Sequence, residues 1–279
     1  MVDFGARLES ALGTFGQICL GIDPHPFLLE QWGLDDTAEG AQEFGLRAVD
    51  AAAGSVGVVK PQVAFFERHG GAGILALEQV VRAARDAGLL VIADAKRGDI
   101  GSTVEAYGQA WLSPGSPLEA DAMTVVAYQG VESLRGVIDL AGASGKGLFI
   151  LAATSNPEAL ATQTAEVRVG LHAGATVARQ VVDEVGAFGT GAGLRSVGVV
   201  IGGNLVLDEL GLDPATLAGT PILAPGYGEQ GASLTDIAAT FGVAAPGVIA
   251  NVGRGVLKLG PQRLSDALLS AVDEVRGAL

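Results

Sequence analysis

Six consecutive residues, Asp94-Ala95-Lys96-Arg97-Gly98-Asp99, set two carboxylates around an ammonium. They follow the apolar run Val91-Ile92-Ala93, so Asp94 closes a strand and Lys96, two residues on, leaves it from the same side. If that side faces a pocket, acid and cation enter it together. Flanking carboxylates favour the charged lysine, which can neutralise a developing anion and then give up a proton. An arginine would release its proton far less readily. Asp99 stands past Gly98, beyond the strand, and can reach a different neighbour. By itself this spacing fits a strand-end salt bridge as well as it fits catalysis. Other charges weigh toward chemistry. The chain has four lysines, and Lys60 ends a second apolar run at 56–60, while Asp23 follows a third at 18–22. Charges clustered at the ends of buried strands are costly without a purpose.

A second constellation suits an anion. The run at 221–224 leads into Pro225-Gly226-Tyr227-Gly228-Glu229-Gln230-Gly231, whose glycines let backbone amides approach a ligand. The run at 247–250 leads into Asn251-Val252-Gly253-Arg254-Gly255, where a guanidinium between glycines offers a fork of donors matched to phosphate oxygens. Ordinary turns with one surface arginine are the plainer alternative. His25, His69 and His172 stand at no metal-ligand spacing from one another or from a cysteine, and His172 reads as part of a helical stretch. No metal site is expected.

The elements that must hold these residues repeat regularly. Short β-branched runs at 18–22, 56–60, 89–94, 122–126, 148–152, 197–201, 221–224 and 247–250 read as strands buried on both faces. Helical periodicity lies between them, most plainly at Ile74, Leu77, Val80, Val81 and Ala84 before Gly88. Asn156-Pro157-Glu158 reads as a capped helix start, extra helix is expected in the long connection that follows, and 262–279 reads as a closing helix. Strand then helix, eight times, predicts an α/β fold: a (β/α)8 TIM barrel, one domain over 1–279. A doubly wound open sheet is the alternative. In a barrel the site lies where strands end, and phosphate is held after strands seven and eight.

Composition narrows the function. With 31 acidic and 17 basic residues the formal charge is −14, which repels nucleic acid, and no local basic patch offsets it. Any bound phosphate should belong to a small molecule. Cys19, the one cysteine, lies in the first strand and reads as packing. No apolar run of about 18 residues and no signal-peptide core occur, so a soluble, cytoplasmic protein away from membranes is expected.

The segment Asp94-Ala95-Lys96-Arg97-Gly98-Asp99-Ile100 with Thr103 resembles the Asp-x-Lys-x-x-Asp-Ile-x-x-Thr signature of the orotidine 5′-phosphate decarboxylases. The similarity extends over nearly the whole chain. Lys60-Pro61-Gln62 and Phe65-Phe66-Glu67 resemble the longer bacterial subgroup common in actinobacteria, whereas Thr154 replaces its relatives' usual methionine. The resemblance implies conversion of orotidine monophosphate to uridine monophosphate without cofactor. It implies that Asp23 and Lys60 bind ribose, that Ser155 reads the pyrimidine, and that Gln230, Gly253 and Arg254 hold phosphate. It also implies a homodimer in which Lys60, Asp94 and Lys96 serve their own site while Asp99, Ile100 and Thr103 serve the partner's. Lys96 would stabilise the carbanion at C6 and protonate it. Two other classes stay open: a magnesium-dependent sugar-phosphate decarboxylase or aldolase of the same barrel group, and a catalytically silent nucleotide binder. The magnesium enzymes carry a glutamate where this chain has Lys60.

Overall fold

The computed structural model describes residues 2–189, 193–229 and 231–279. Eight parallel strands close in chain order: β1 (Ile18–Ile22), β2 (Val58–Pro61), β3 (Leu90–Arg97), β4 (Ala122–Val125), β5 (Gly147–Ala153), β6 (Val197–Ile201), β7 (Ile222–Pro225) and β8 (Val248–Val252). The ring is completed where β8 pairs with β1, Ile18 opposite Ala250 through Leu20 opposite Val252. Closure excludes the open sheet. All residues of β1 and β6 are buried, the condition that makes such strands continuous apolar runs. The departures from the expected strand bounds that bear on the site are at the C-terminal ends of β3 and β8. β3 runs on to Arg97 and β8 to Val252, so Lys96 and Asn251 are wall residues and not loop residues. Apolarity stops marking a strand once its inward positions turn polar to line a cavity.

Two cores share the strands. Outward side chains pack under the surrounding helices. Inward ones, among them Cys19, Val58, Ile92, Phe149, Val200, Leu223 and Ile249, fill the barrel. Burial pushes the Cys19 thiol up to about 12, so it is packing and no nucleophile. The barrel's lower end is plugged by the helix Phe4–Phe15, whose Phe4, Leu8 and Leu12 join the inner core. Phe4 meets Phe149 edge-on at 6.0 Å and occupies room left by Gly147, where a Cβ would lie 2.2 Å from the Phe4 ring. Asp3 caps this helix through Ala6 N–H at 2.8 Å, and Arg7 ties it to Asp121 at 2.6 Å. The open end is therefore the one bearing the strand C-termini.

The helices at Gly70–Asp86 and Pro261–Arg276 follow their sequence patterns closely. The β5–β6 connection contains the extra helix expected, but differently built. Pro157–Ala159 is a single 3-10 turn, Leu160–Gln163 a short helix, and Val177–Gly186 a longer one capped by Thr176. Asn156 holds the N-cap position before Pro157, as expected, but makes no capping bond: its side chain bonds Thr154 and Glu158 instead. His172 lies in a turn before the bridge residue Thr176, 3.6 Å from Asp183, and not in a helix. Among the described residues no helix is long and apolar enough to cross a membrane.

Candidate active site

Asp94 organises the barrel mouth. Its Oδ2 accepts from Lys60 Nζ at 2.8 Å and Gln62 Nε2 at 2.9 Å, and its Oδ1 accepts from Lys96 Nζ at 2.6 Å and Thr124 Oγ1 at 2.9 Å. Burial pushes this carboxyl toward its neutral form, but Lys60 and Lys96 outweigh burial and hold it well below the usual carboxylate range. Lys60 mirrors it: burial opposes its charge, and Asp94 with Asp23 raises it above an ordinary ammonium. The two lysines differ in exposure, 5% for the Lys60 side chain and 45% for Lys96. Lys60 is thus a fixed internal charge, while Lys96 faces the opening.

Strand alternation puts Lys96 on the correct side, though by an irregular route. Its φ is 47°, the one positive value outside glycine among the described residues. The register of β3 against β4 shifts between Ala93 and Arg97. Thr124 Oγ1 accepts the Lys96 N–H at 2.9 Å while donating to Asp94, which braces this conformation. A left-handed non-glycine residue costs roughly 1–3 kcal/mol and survives where its surroundings over-determine it.

The cavity above Asp94 measures about 210 Å³. Leu151, Val200 and Leu223, continuous with the inner core, are its apolar floor. Asp23, Lys60, Gln62, Asp94 and Lys96 line one side, and Tyr227, Asn251, Gly253 and Arg254 another. Gly21 gives Asn251 its space, since a Cβ there would stand 3.2 Å from Asn251 Oδ1. Asp23 Oδ1 and Asn251 Oδ1 are buried without a hydrogen-bond partner. Buried acceptors facing a cavity are places for ligand donors. After β7, Gly226 and Gly228 adopt φ of 112° and 82°, conformations that L side chains rarely take. The chain enters the short helix Arg254–Leu257 directly after Gly253, which presents Arg254 at its first residue.

Of the residues singled out in the sequence, Asp23, Lys60, Asp94, Lys96, Gly253 and Arg254 meet in this cavity. Ser155 borders a neighbouring hollow with Thr154, which lines both. Asp99 accepts the Ile100 N–H at 2.8 Å, and Ile100 and Thr103 are exposed; none of the three lines the cavity. Gln230 lies outside the described residues. Sequence reasoning missed Gln62, Thr124 and Tyr227 and read Asn251 as loop. Extending the alternation from Lys60 to Gln62 would have found the first. His25 packs on the Phe65 ring, 4.2 Å between centroids, and burial lowers its basicity. Among the described residues no three metal-ligating side chains gather.

A family model, the orotidine 5′-phosphate decarboxylase / HUMPS family, matches residues 16–264. An orotidine 5′-phosphate decarboxylase of Salinispora tropica is 48% identical over 276 residues, covering 99% of this chain and 96% of that protein. One from Streptomyces coelicolor is 45% identical over 289 residues, covering 100% and 99%. A crystal structure from Streptomyces avermitilis, described as a candidate orotidine 5′-phosphate decarboxylase, superposes with a TM-score of 0.93 at 44% identity, covering 100% of this chain and 96% of that one.

Proposed function

The chain belongs to the orotidine 5′-phosphate decarboxylase / HUMPS family, and from that premise we propose that its barrel mouth converts orotidine 5′-phosphate to uridine 5′-phosphate and carbon dioxide. The observation that carries this reading is the Lys60–Asp94–Lys96 array, with Lys96 Nζ 2.6 Å from Asp94 at the open side of the cavity. As a carboxy-lyase it breaks the bond between C6 and its carboxylate. The electron pair stays on C6 and carbon dioxide leaves. Lys96 first stabilises that charge and then transfers a proton to C6, and solvent at its exposed side restores the proton. A pre-set ammonium in an enclosed site stabilises such charge without reorganising.

Asp94, held ionised, also crowds the substrate carboxylate. Two like charges about 4 Å apart at an effective dielectric near 20 repel by roughly 4 kcal/mol, at most about three powers of ten in rate if relieved at the transition state. The apolar floor of Leu151, Val200 and Leu223 suits a neutral gas better than an anion. Arg254, Gly253 and Gln230 hold the phosphate, Asp23 and Lys60 the ribose hydroxyls, and Ser155 the pyrimidine. The unpartnered Asp23 Oδ1 supports the ribose assignment. Asp99, Ile100 and Thr103 serve the partner's site in a homodimer, a reading supported by their absence from their own cavity. The location is cytoplasmic, where a charged nucleotide of this kind is retained.

The second reading, a magnesium-dependent sugar-phosphate enzyme, meets a fixed cation at Lys60 beside Asp94. One assay separates the two. Protein dialysed against EDTA is mixed with orotidine monophosphate and the ultraviolet change on conversion is followed. Full turnover in EDTA is expected. Activity lost to EDTA and restored by magnesium would overturn the assignment.

A further inference from the structure

Between Ala93 and Arg97, β3 carries Asp94, Ala95 and Lys96 opposite Thr124 alone on β4. This bulge sends both the carboxylate and the ammonium into the cavity. Thr124 braces it on the inner side. The outer brace is Arg97, which does not line the cavity. Arg97 Nη1 donates to the Ala95 carbonyl at 3.1 Å, and Ala95 is paired in neither the β2–β3 nor the β3–β4 register. Arg97 Nη2 forms an ion pair with Glu67, the last residue of the turn Ala64–Glu67. The Tyr107 ring, on the helix Gly101–Leu112, lies 5.6 Å from the guanidinium carbon. The Arg97 carbonyl accepts the Val126 N–H at 2.8 Å, so the ladder resumes at this residue.

The partner of Arg97 comes from a telling place. The turn Ala64–Glu67 follows Gln62, whose side chain donates to Asp94 at 2.9 Å. The Arg97–Glu67 pair thus ties on the outside the same two strand ends, β2 and β3, that Lys60, Gln62 and Asp94 tie on the inside. A planar fork of donors spans a carbonyl and a carboxylate together, whereas a lysine gathers its donors at one nitrogen. Lys96 depends on such support. Its side chain is 45% exposed, so the cavity wall does not fix it, and its φ of 47° needs surroundings that over-determine it.

We infer that Arg97 is a positioning residue for the reaction: it locks the bulge from the outer face and so sets where Lys96 Nζ stands against Asp94. This deepens the function proposed above and rests on it. Arg97 acts only through the backbone of Ala95 and Lys96. A reacting group displaced by about 1 Å loses on the order of a hundredfold in rate. The phosphate and ribose contacts, on β8 and β1, stay in place.

Turnover of orotidine monophosphate, the dissociation constant of uridine monophosphate (UMP) and hydrogen exchange test this on wild type, Arg97→Met, Arg97→Lys and Glu67→Gln. Arg97→Met keeps the apolar stem and removes the fork. It should lower kcat by roughly tenfold to a hundredfold while UMP binding changes by less than about twofold, the pattern of an interaction used only in the chemical step. Amides of residues 94–97 should exchange faster in it, with the other strands protected as in wild type. Arg97→Lys and Glu67→Gln each retain part of the contact set and should fall between, and they carry the test if the methionine variant does not fold. Wild-type kcat in every folded variant, or kcat and UMP binding lost in equal proportion, would overturn the inference. Wild-type protein without turnover would sink the parent function instead, and the exchange at 94–97, which needs no turnover, would still judge the brace.

Discussion

Asp94 receives four hydrogen bonds from side chains on three strand ends, and its charge is what keeps Lys60 tolerable inside the barrel. Asp94→Asn would leave Lys60 buried without its counter-ion, a defect costing about 3–5 kcal/mol. The dependence on pH has a definite sign. The folded carboxyl lies below its unfolded value near 3.9, so its stabilisation is complete above about pH 5 and is lost as pH falls. Lys60 lies above its unfolded value near 10.4, so its contribution is whole below about pH 9 and fades as pH rises. Urea titrations of wild type and Asp94→Asn should therefore show a constant difference from about pH 5 to 9 that shrinks below about pH 4. A difference that persists undiminished into strong acid would mean the array is not held as ions. Charges at strand ends announced themselves in the sequence. Thr124 did not, because a hydroxyl inside an apolar run looks like packing until its neighbours across β3 and β4 are known.

At the scale of elements, the strands were legible and their ends were not. Branched apolar runs mark buried strands, yet β3 and β8 continue into polar residues because those residues face a cavity and not a core. The left-handed turn at Lys96 carries no sequence signal at all, since it arises from the β3–β4 register shift. Asn156 stands at the N-cap as the sequence suggests, but its side chain braces the loop instead of capping, a choice the sequence hides because the two uses are chemically identical. The choice was made by Thr154 and Glu158 lying within reach. The plug helix Phe4–Phe15 shows an amphipathic pattern, but only closure of the barrel reveals that its apolar face enters the inner core. Phe4→Ala should cost about 3–5 kcal/mol in urea unfolding, the usual loss for a fully buried phenylalanine. Turnover per folded molecule should stay near wild type, because the plug sits at the end opposite Asp94. A stable Phe4→Ala protein with impaired turnover would contradict that division.

Taken whole, the family, the barrel and most of the mouth could be read from residues, whereas the association of chains could not. Asp99 shows the gap: its neighbours in the sequence say only that it leaves the strand. The proposed shared site predicts complementation. Lys96→Ala and Asp99→Ala proteins should each be nearly inactive. When their subunits exchange at random, half the dimers are mixed and each mixed dimer has one intact site of two, so about a quarter of wild-type activity should return. If mass spectrometry verifies the exchange and no activity returns, Asp99 acts within its own chain.

The plug has a consequence for traffic. With Phe4 and Phe149 packed at the lower end, the chamber is closed on that side and, among the described residues, opens at the strand C-termini. The gas is born between the nucleotide and the apolar floor, behind the larger product. It must slip past the ring or wait for uridine monophosphate to depart, so in the proposed reaction the two products compete for the same way out.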